Sequence, residues 1–371
     1  MFPIALRSLL LLPVALRLAF AASSNSSIAC NNSPLLCNRA YNNITQLGAH
    51  DSPFLRDAST DYSLSGNQYL NTTAQLAAGV RLLSAQVQTN STTNALDVCH
   101  TSCSLLDAGR LRDWLGEVNS WLIANPNDVV TVLLVNGADA SASDLAAEYQ
   151  AAGISEIAHQ PTSASATSNW PTLQTLIDDG TRLLTFVADI TPSPSAPHLM
   201  NEFTYIFENA YENTSPTDFS CTANRPQTLN NNTEQALAAN MLPLMNHFLD
   251  SQQAFGIQTP NDSYASVTNS ANGGVGSLGS AAAQCTNEYG RAPTFLLVDF
   301  FNLGPAVQTV DALNGVTDAV GRTSVSSSAG AGAGAGAGAQ KNGGSSAVGW
   351  SGVEHFMLCF TLLAVWCGLL L

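Results

Sequence analysis

The chain has 371 residues, of which 45% are hydrophobic and 11% charged, and its formal net charge is −15. Lys341 is its single lysine, so the chain lacks the clustered positive charge that binds nucleic acid or anionic lipid headgroups. The composition therefore argues against nucleic acid and against electrostatic recruitment to an anionic lipid surface, but it does not bear on chemistry inside a pocket. The length suits one sizeable hydrophobic core.

Residues 1–22 have the layout of a secretory signal peptide. Arg7 precedes an apolar stretch, and small residues follow at positions 19–22 around Phe20. A transmembrane anchor is the alternative, but Arg17 interrupts a stretch that is already too short to span a bilayer. The sequence therefore predicts that residues 1–22 are removed from a secreted chain.

Eight Asn-X-Ser/Thr sequons agree with entry into the secretory pathway. Asn31 is the weakest of them, because Pro34 follows its sequon. The remaining candidates for N-glycosylation are Asn25, Asn43, Asn71, Asn90, Asn213, Asn231 and Asn261.

Six cysteines precede the C-terminal tail, and an even number in an oxidising compartment predicts three disulfides. Spacing alone leaves several pairings open. We expect local pairing of Cys30 with Cys37 and of Cys99 with Cys103, which leaves Cys221 to pair with Cys285. No Cys or His spacing is typical of a zinc site, and the sequence predicts neither a metal nor a cofactor.

From residue 44 onward, short apolar segments alternate with segments of helical period. The apolar segments are rich in Val, Leu, Ile and Phe, as expected for strands buried on both faces. The predicted strands span residues 44–49, 80–87, 96–99, 129–136, 182–188, 204–208 and 294–300.

Helices are predicted at residues 111–122, 171–179, 235–249 and 305–313. Repeated β-then-α order implies a parallel sheet covered by helices. The predicted fold class is therefore α/β, with a closed (β/α) barrel of the TIM type as first choice and a doubly wound sheet as second. Residues 191–202 and 212–234 have little apolar pattern and are predicted to be surface excursions.

The C-terminal region has the order of a glycosylphosphatidylinositol (GPI) attachment signal. A disordered Gly/Ala/Ser-rich stalk with the attachment region spans residues 323–346, and the hydrophobic tail predicted to be removed spans residues 347–371. A retained tail anchor is the alternative, although no basic residue follows the tail. Residues 23–322 are left as the barrel domain.

Titratable residues lie at the ends of three predicted strands. His50 and Asp51 follow the first strand, His100 follows residues 96–99, and Asp299 lies near the end of the last. Because catalytic groups of a barrel lie at the carboxyl ends of its strands, these four residues form a candidate acid–base set. A single His-Asp pair is usually a turn feature, but its recurrence at two strand ends favours catalysis. Loop or packing roles are expected for the other histidines.

Five segments together resemble the X-domain of phosphatidylinositol-specific phospholipase C, and most closely the secreted PLC-like phosphodiesterases of fungi. The segments are "LGAHDSPF", "AGVRLLSAQVQ", "LDVCHTSC", "WLIANPNDVVTVLLVN" and "FLLVDFFN". The resemblance covers residues 40–304. It implies an irregular (β/α) barrel that cleaves phosphodiesters by in-line attack, and in the bacterial enzymes a substrate hydroxyl attacks phosphorus to give a cyclic phosphodiester.

By matching motif, the resemblance implies a general base at His50 and a general acid at His100 that protonates the leaving alkoxide. Asp299 would orient His50, and Asp51 would orient or polarise His100. A proton shuttle of this kind contributes on the order of 10²–10⁴ in rate.

The second strand departs from the family pattern. Bacterial relatives have an arginine there that neutralises the phosphate, and eukaryotic relatives hold calcium with carboxylates, but this chain has Gln86 and none of those carboxylates. Losing that cation would remove several kcal/mol of electrostatic stabilisation. Gln86, Arg56 or a backbone amide could replace it, and Asn136 is a further substrate-binding candidate.

The favoured hypothesis is an extracellular, GPI-anchored phosphoric diester hydrolase of lipid metabolism, acting on a phosphoinositide-type lipid or glycolipid. The second is a weak or inactive barrel that serves as a cell-surface binding protein, which Gln86 favours. A glycosidase using Asp51 and Asp299 is the third, but it leaves the two histidines unexplained.

Overall fold

The computed structural model describes residues 28–328. The predicted signal peptide, Asn25, the Gly/Ala run from residue 329 onward and the hydrophobic tail lie outside the described residues, and with them the predicted GPI attachment region. Within residues 28–328, no helix is both long enough and apolar enough to cross a membrane.

The described residues contain twelve strands. They are β1 (Gln46–Ala49), β2 (Leu82–Thr89), β3 (Leu96–Cys99), β4 (Asp107–Arg110), β5 (Val130–Asn136), β6 (Leu183–Ala188), β7 (Leu199–Asn201), β8 (Ile206–Glu208), β9 (Leu242–Asn246), β10 (Asp250–Gln252), β11 (Gln258–Pro260) and β12 (Phe295–Val298).

The same region contains ten α-helices. They are α1 (Pro34–Cys37), α2 (Thr72–Ala78), α3 (Leu111–Ala124), α4 (Ala142–Ala151), α5 (Leu173–Asp178), α6 (Glu202–Tyr205), α7 (Thr233–Ala238), α8 (Asp262–Thr268), α9 (Leu278–Tyr289) and α10 (Ala306–Asn314).

Eight strands pair in parallel in the order β7-β6-β5-β2-β1-β12-β9-β8. The last strand, β12, returns to pair with the first, β1, so the sheet curls round on itself. No ladder joins β7 to β8 within the described part of the chain. The predicted α/β barrel is therefore confirmed, in an irregular form that is open between β7 and β8.

Most barrel strands consist mainly of apolar residues, because the barrel interior covers one face of the sheet and helices cover the other. All six residues of β6 are buried, and the apolar stripe of α3 (Leu111, Trp114, Leu115, Val118, Trp121, Leu122) is its buried face. Gly48 allows β1 to fit between its neighbours, because a Cβ there would lie 2.7 Å from side-chain atoms of both Leu82 and Leu297.

The predicted helix at residues 235–249 is wrong beyond its first turn. Helix α7 ends at Ala238, and residues 242–246 form β9 in the barrel sheet. Asn240 adopts a left-handed conformation (φ 59°) that ends the helix, and Pro243 cannot continue one. The apolar residues that follow satisfy their backbone groups by pairing with β8 and β12 instead.

Two other segments differ from expectation. Residues 204–208 begin in α6, and only residues 206–208 form a strand. Residues 191–202 are not entirely a surface excursion, because they include β7, in which Leu199 and Met200 are buried. These short elements carry too few apolar residues to show a period in the sequence.

The three disulfides join Cys30 to Cys37, Cys99 to Cys103 and Cys221 to Cys285. These are the pairings expected from the sequence: two local ones, and the pair that they leave, which is 64 residues apart. Beyond the barrel, β2 pairs antiparallel with β3, and β3 pairs with β4. This extension turns the chain back at Cys99 and places the residue after it, His100, beside the middle of β2 and close to the level at which β1 ends.

Candidate active site

The four predicted catalytic residues meet at the carboxyl ends of three adjacent barrel strands. His50 and Asp51 follow β1, which lies between β2 and β12 in the sheet. Asp299 follows β12, and the β3 extension returns His100 to the same end. Strand order thus brings together side chains that are up to 249 residues apart in sequence.

His50 is held from several sides. Its Nδ1 lies 2.9 Å from Oδ1 of Asp299, and the ring of Phe248 is stacked on the imidazole with centroids 3.7 Å apart. Gln68 Nε2 donates to the carbonyl oxygen of His50 at 2.8 Å, which fixes the backbone. The imidazole remains 20% exposed, so solvent and a substrate can reach it.

Asp299 is oriented in turn by a residue that sequence reasoning missed. Asn67 Nδ2 donates to Asp299 Oδ1 at 3.0 Å, the oxygen that also faces His50. Asn67 and Phe248 carry no motif, and only their place in the fold identifies them. The Asn67–Asp299–His50 chain sets the ring so that Nε2 points away from Asp299, as a proton acceptor requires.

Asp51 lies between the two histidines. Its Oδ2 is 3.7 Å from Nε2 of His50 and 3.7 Å from Nε2 of His100. The Asp51 amide donates to Ser84 Oγ at 2.8 Å, and the residue has a left-handed φ of 47°. The family resemblance implies that Asp51 acts on His100, whereas the structure places one carboxylate oxygen near both rings.

Both polar atoms of the Gln86 side-chain amide form hydrogen bonds. Nε2 donates to Asp51 Oδ2 at 2.7 Å, and Oε1 accepts from the Thr101 backbone N–H at 2.8 Å. The residue at the position of the phosphate-neutralising arginine therefore joins Asp51 to the loop that carries His100. In residues 28–328, no Arg or Lys side chain forms an ion pair with Asp51 or Asp299.

Arg56 and Asn136, the other two substrate-binding candidates, have partners elsewhere. The Arg56 guanidinium donates to the carbonyl oxygens of Leu64, Gly66 and Pro260 and pairs with Asp262 at 3.1 Å. It ties the loop after β1 to the end of β11. Asn136 Nδ2 and Oδ1 both bond to the backbone of Ala140. None of these bonds joins Arg56 or Asn136 to the four predicted catalytic residues, and a phosphate-binding role for either side chain stays a prediction.

The family model for PI-PLC X matches residues 36–314 of this chain. The chain belongs to the PI-PLC X family. An uncharacterized secreted protein of Arthroderma benhamiae is 36% identical over 308 residues, which cover 80% of this chain and 66% of that protein. PI-PLC X domain-containing protein 1 of the same organism is 33% identical over 297 residues, covering 80% and 92% respectively. The chain thus spans just under two thirds of the first relative.

Solved structures of bacterial members share the fold. Phosphatidylinositol-specific phospholipase C from Listeria monocytogenes is 18% identical, with a TM-score of 0.50, covering 77% of this chain and 97% of that one. The F249X mutant of the Staphylococcus aureus enzyme is 14% identical, with a TM-score of 0.52, covering 78% and 98%. At these identities, the likeness is one of fold alone.

The two histidines of this PI-PLC X domain have opposite pKa shifts. Burial lowers the pKa of His50, but the charges of Asp51 and Asp299 outweigh it and raise that pKa to about 9. At His100, burial outweighs the attraction of Asp51 and lowers the pKa. In the free protein at neutral pH, the proton is therefore on His50 and His100 is neutral.

Asp250 is a third carboxyl group near this site that sequence reasoning missed. Burial, together with the nearby charge of Asp299, raises its pKa to about 7, although His50 opposes the shift. Asp250 opens β10, two residues after Phe248, and its sequence context is that of an ordinary turn polar residue. Its altered pKa comes from neighbours on other elements.

The site does not fit the calcium ion that eukaryotic family members hold. Among residues 28–328, the only group of three ligand atoms close enough to share an ion is Cys99, Cys103 and Asp107. Those two cysteines are joined to each other as a disulfide.

Of the other histidines, His247 is fully buried behind β9. Its Nε2 lies 3.1 and 3.0 Å from the carbonyl oxygens of Thr268 and Gly276, and Phe219 stacks on the ring. Burial lowers its pKa to about 4, so it is a neutral packing residue rather than a proton shuttle. His159 and His198 are also buried.

The predicted glycosylation sites differ in accessibility. Asn43, Asn71 and Asn231 are exposed and Asn261 is half-buried. Asn213 is 1% exposed, and its Nδ2 donates to the carbonyl oxygens of Ala210 and Asn246. Asn90 Nδ2 donates to Asp97 and Asp107. A glycan on Asn213 would require these hydrogen bonds to break, and glycosylation at this and the other sites stays a prediction.

Proposed function

We propose that the protein is an extracellular phosphoric diester hydrolase that cleaves a phosphoinositide-type lipid or glycolipid by two-histidine acid–base catalysis. The observation that carries the proposal is the Asp51 oxygen 3.7 Å from both His50 and His100, with Asp299 fixing His50 from its other nitrogen. Membership of the PI-PLC X family supports the reaction class.

In the first step, His50 Nε2 accepts the proton of a substrate hydroxyl as its oxygen attacks phosphorus. The bond from phosphorus to the lipid-side oxygen breaks in line, and His100 donates a proton to that alkoxide. The products are a cyclic phosphodiester and an alcohol. Proton transfer by each ring contributes on the order of 10²–10⁴ in rate.

This mechanism requires a neutral His50 and a protonated His100, which is the reverse of the preferred state of the free protein. Both states hold one proton on the pair, and the Asp51 oxygen stabilises a proton on either ring. The active state is thus a minor form of the singly protonated pair. We expect kcat/KM to stay level from below neutral pH and to fall above about pH 9, where His50 releases its proton.

An inactive binding protein is the second candidate, and Gln86 is the observation in its favour. Gln86 donates its amide to Asp51 and adds no charge beside the phosphate, so a protonated histidine is the cation available there. Such a site would bind an inositol phosphate and turn it over slowly or not at all.

Location outside the cell is proposed from the N-terminal signal sequence and from the relative whose printed name is a secreted protein. Attachment to the outer leaflet or cell wall through a GPI anchor is proposed from the order of stalk, small residues and apolar tail at the C-terminus. A test is release of the protein from intact cells by an enzyme that cleaves GPI anchors.

The catalytic proposal is tested by assaying the purified ectodomain on phosphatidylinositol, a GPI glycolipid and a generic phosphodiester. His50→Ala and His100→Ala should each lower kcat/KM by about 10²–10⁴. His159→Ala is the matched control and should retain activity. Equal turnover by wild type and all three variants would rule out the two-histidine mechanism.

Gln86→Arg separates the two candidate functions. If wild type binds inositol phosphate without turnover and Gln86→Arg gains turnover, the chain is a binding protein that lacks only the cation. If wild type turns over and Gln86→Arg is slower, the amide link from Asp51 to Thr101 is what the reaction needs.

A further inference from the structure

His100 lies inside a very short covalent loop. The disulfide joins Cys99 to Cys103, four residues apart, and His100 is the residue directly after Cys99. Asp51, its partner, is fixed separately by Ser84 and Gln86 on β2. The distance between the acid and its carboxylate therefore depends on how firmly this loop is held against β2.

Besides the disulfide, the loop has turn hydrogen bonds within itself, from the Ser102, Leu105 and Leu106 N–H groups, and few bonds that anchor His100 and Thr101. The His100 N–H donates to the Leu106 carbonyl at 2.9 Å, and Gln86 Oε1 accepts from the Thr101 N–H at 2.8 Å. Thr101 has a left-handed φ of 60°, which is an outlier for a β-branched residue and costs on the order of 1 kcal/mol. Without a covalent constraint, the chain would relax away from this conformation.

Of the three disulfides, Cys99–Cys103 is the one most accessible to solvent. Cys103 is half-buried, whereas Cys30, Cys37, Cys99, Cys221 and Cys285 are all buried. A reductant in solution can therefore attack the sulfur of Cys103 while the other two bridges remain shielded.

We propose that the Cys99–Cys103 disulfide is the positioning element for the general acid, and that its reduction switches off leaving-group protonation by His100. The inference rests on the proposed function and adds redox control to it. The co-reactant is a dithiol: the Cys99–Cys103 S–S bond breaks, two cysteine thiols form, and the dithiol is oxidised to its own disulfide.

The readout is dependence on the leaving group. A lipid alkoxide needs a proton to leave, whereas 4-nitrophenolate leaves near neutral pH without one. Two substrates are therefore compared that share the inositol phosphate group: phosphatidylinositol and inositol 4-nitrophenyl phosphate. The ratio of kcat values on these substrates is internal to each sample and does not depend on the folded fraction.

The test variant is Cys99→Ala/Cys103→Ala, and the matched control is Cys30→Ala/Cys37→Ala, which removes a similarly short bridge away from the site. The test variant should lose about 10²-fold in kcat on phosphatidylinositol, as expected for a displaced catalytic group, and only a few-fold on the nitrophenyl ester. The control should keep the wild-type ratio. Dithiothreitol should lower the wild-type ratio in the same way, and reoxidation should restore it.

An equal loss on both substrates would make the bridge merely structural, and an unchanged ratio would show that it does not position His100; either overturns the inference. His100→Ala separates this failure from that of the proposed function. If His100→Ala retains the wild-type ratio, His100 is not the acid and the proposed mechanism fails. If His100→Ala shows the selective loss and the cysteine variant does not, only the redox inference fails.

Discussion

Two polar clusters lie at the carboxyl ends of barrel strands and differ in how their charges are paired. The catalytic cluster is His50, Asp51, His100 and Asp299. The ionic cluster is Glu202, Glu208, Arg225 and Asn246, at the ends of β7, β8 and β9. In the ionic cluster, Glu208 Oε2 accepts from Arg225 Nε at 2.6 Å and from Asn246 Nδ2 at 3.1 Å.

The difference explains why one cluster suits chemistry and the other suits stability. In the ionic cluster, a permanent cation satisfies the buried carboxylate of Glu208, and the group is closed to solvent on the carboxylate side. In the catalytic cluster, the cation is a histidine that can lose its proton, and both rings stay partly exposed. Exchangeable charge with access to solvent permits proton transfer, whereas a fixed ion pair does not.

The largest expected effect on stability comes from a substitution that breaks the ionic cluster. Glu208→Ala leaves the Arg225 guanidinium without its carboxylate, and we expect the free energy of unfolding to fall by about 3–5 kcal/mol. Urea denaturation measures the change. The control is Glu234→Ala at an exposed position, which should stay within about 0.5 kcal/mol. A loss at Glu208 no larger than that of the control would contradict the comparison.

The next effect concerns the pKa of His50. Because the Asp51 charge raises that pKa, Asp51→Asn should move the alkaline limit downward from about 9, by about 1–3 pH units. NMR titration of the imidazole measures this even if turnover is lost. Asp61→Asn, at an exposed position that already has a left-handed φ, should leave the titration unchanged. An unmoved His50 pKa would show that Asp51 does not act on that ring.

A smaller effect concerns Glu202. Burial and the neighbouring Glu208 raise its pKa well above 4.5, so the folded protein binds a proton that the unfolded chain has already released. Stability should therefore be fully present below pH 4.5 and fall as pH rises toward the folded pKa, by about 1.4 kcal/mol per pH unit from this group. Glu202→Gln should flatten that slope in urea denaturation across pH. An identical slope in the variant would rule out protonation of Glu202 as its cause.

The smallest effect concerns the aromatic ring stacked on His50. Phe248→Leu keeps an apolar side chain but removes the ring face that favours the imidazolium. We expect the His50 pKa to fall by about half a unit, which corresponds to roughly 0.5–1 kcal/mol. Phe219→Leu, which removes the ring stacked on His247, is the control and should leave the His50 titration in place. A shift as large as that of Asp51→Asn would mean that stacking rather than charge sets the pKa.

Strand β9, which the sequence predicted as part of a helix, shows the limit of assigning secondary structure from hydrophobic periodicity. The apolar residues of 235–249 recur at helical spacing. Asn240, whose backbone is in the left-handed conformation, and Pro243 nevertheless divide the segment into a short helix and a barrel strand. Continuous apolar runs fit a buried helix or a buried strand equally well, and pairing with β8 and β12 decides between them.

By itself, the sequence determined the class of fold, most of the strands, the two short-range disulfides and the strand-end positions of His50, Asp51, His100 and Asp299. These features are local: a run of apolar residues, a short spacing or a motif is enough to indicate them. Tertiary structure alone decided that Asp51 lies between both histidines, that Gln86 links it to the His100 loop, and that Arg56 is occupied elsewhere. Those outcomes depend on which strands become neighbours, because hydrogen bonds and ion pairs are made across the sheet by residues far apart in the chain.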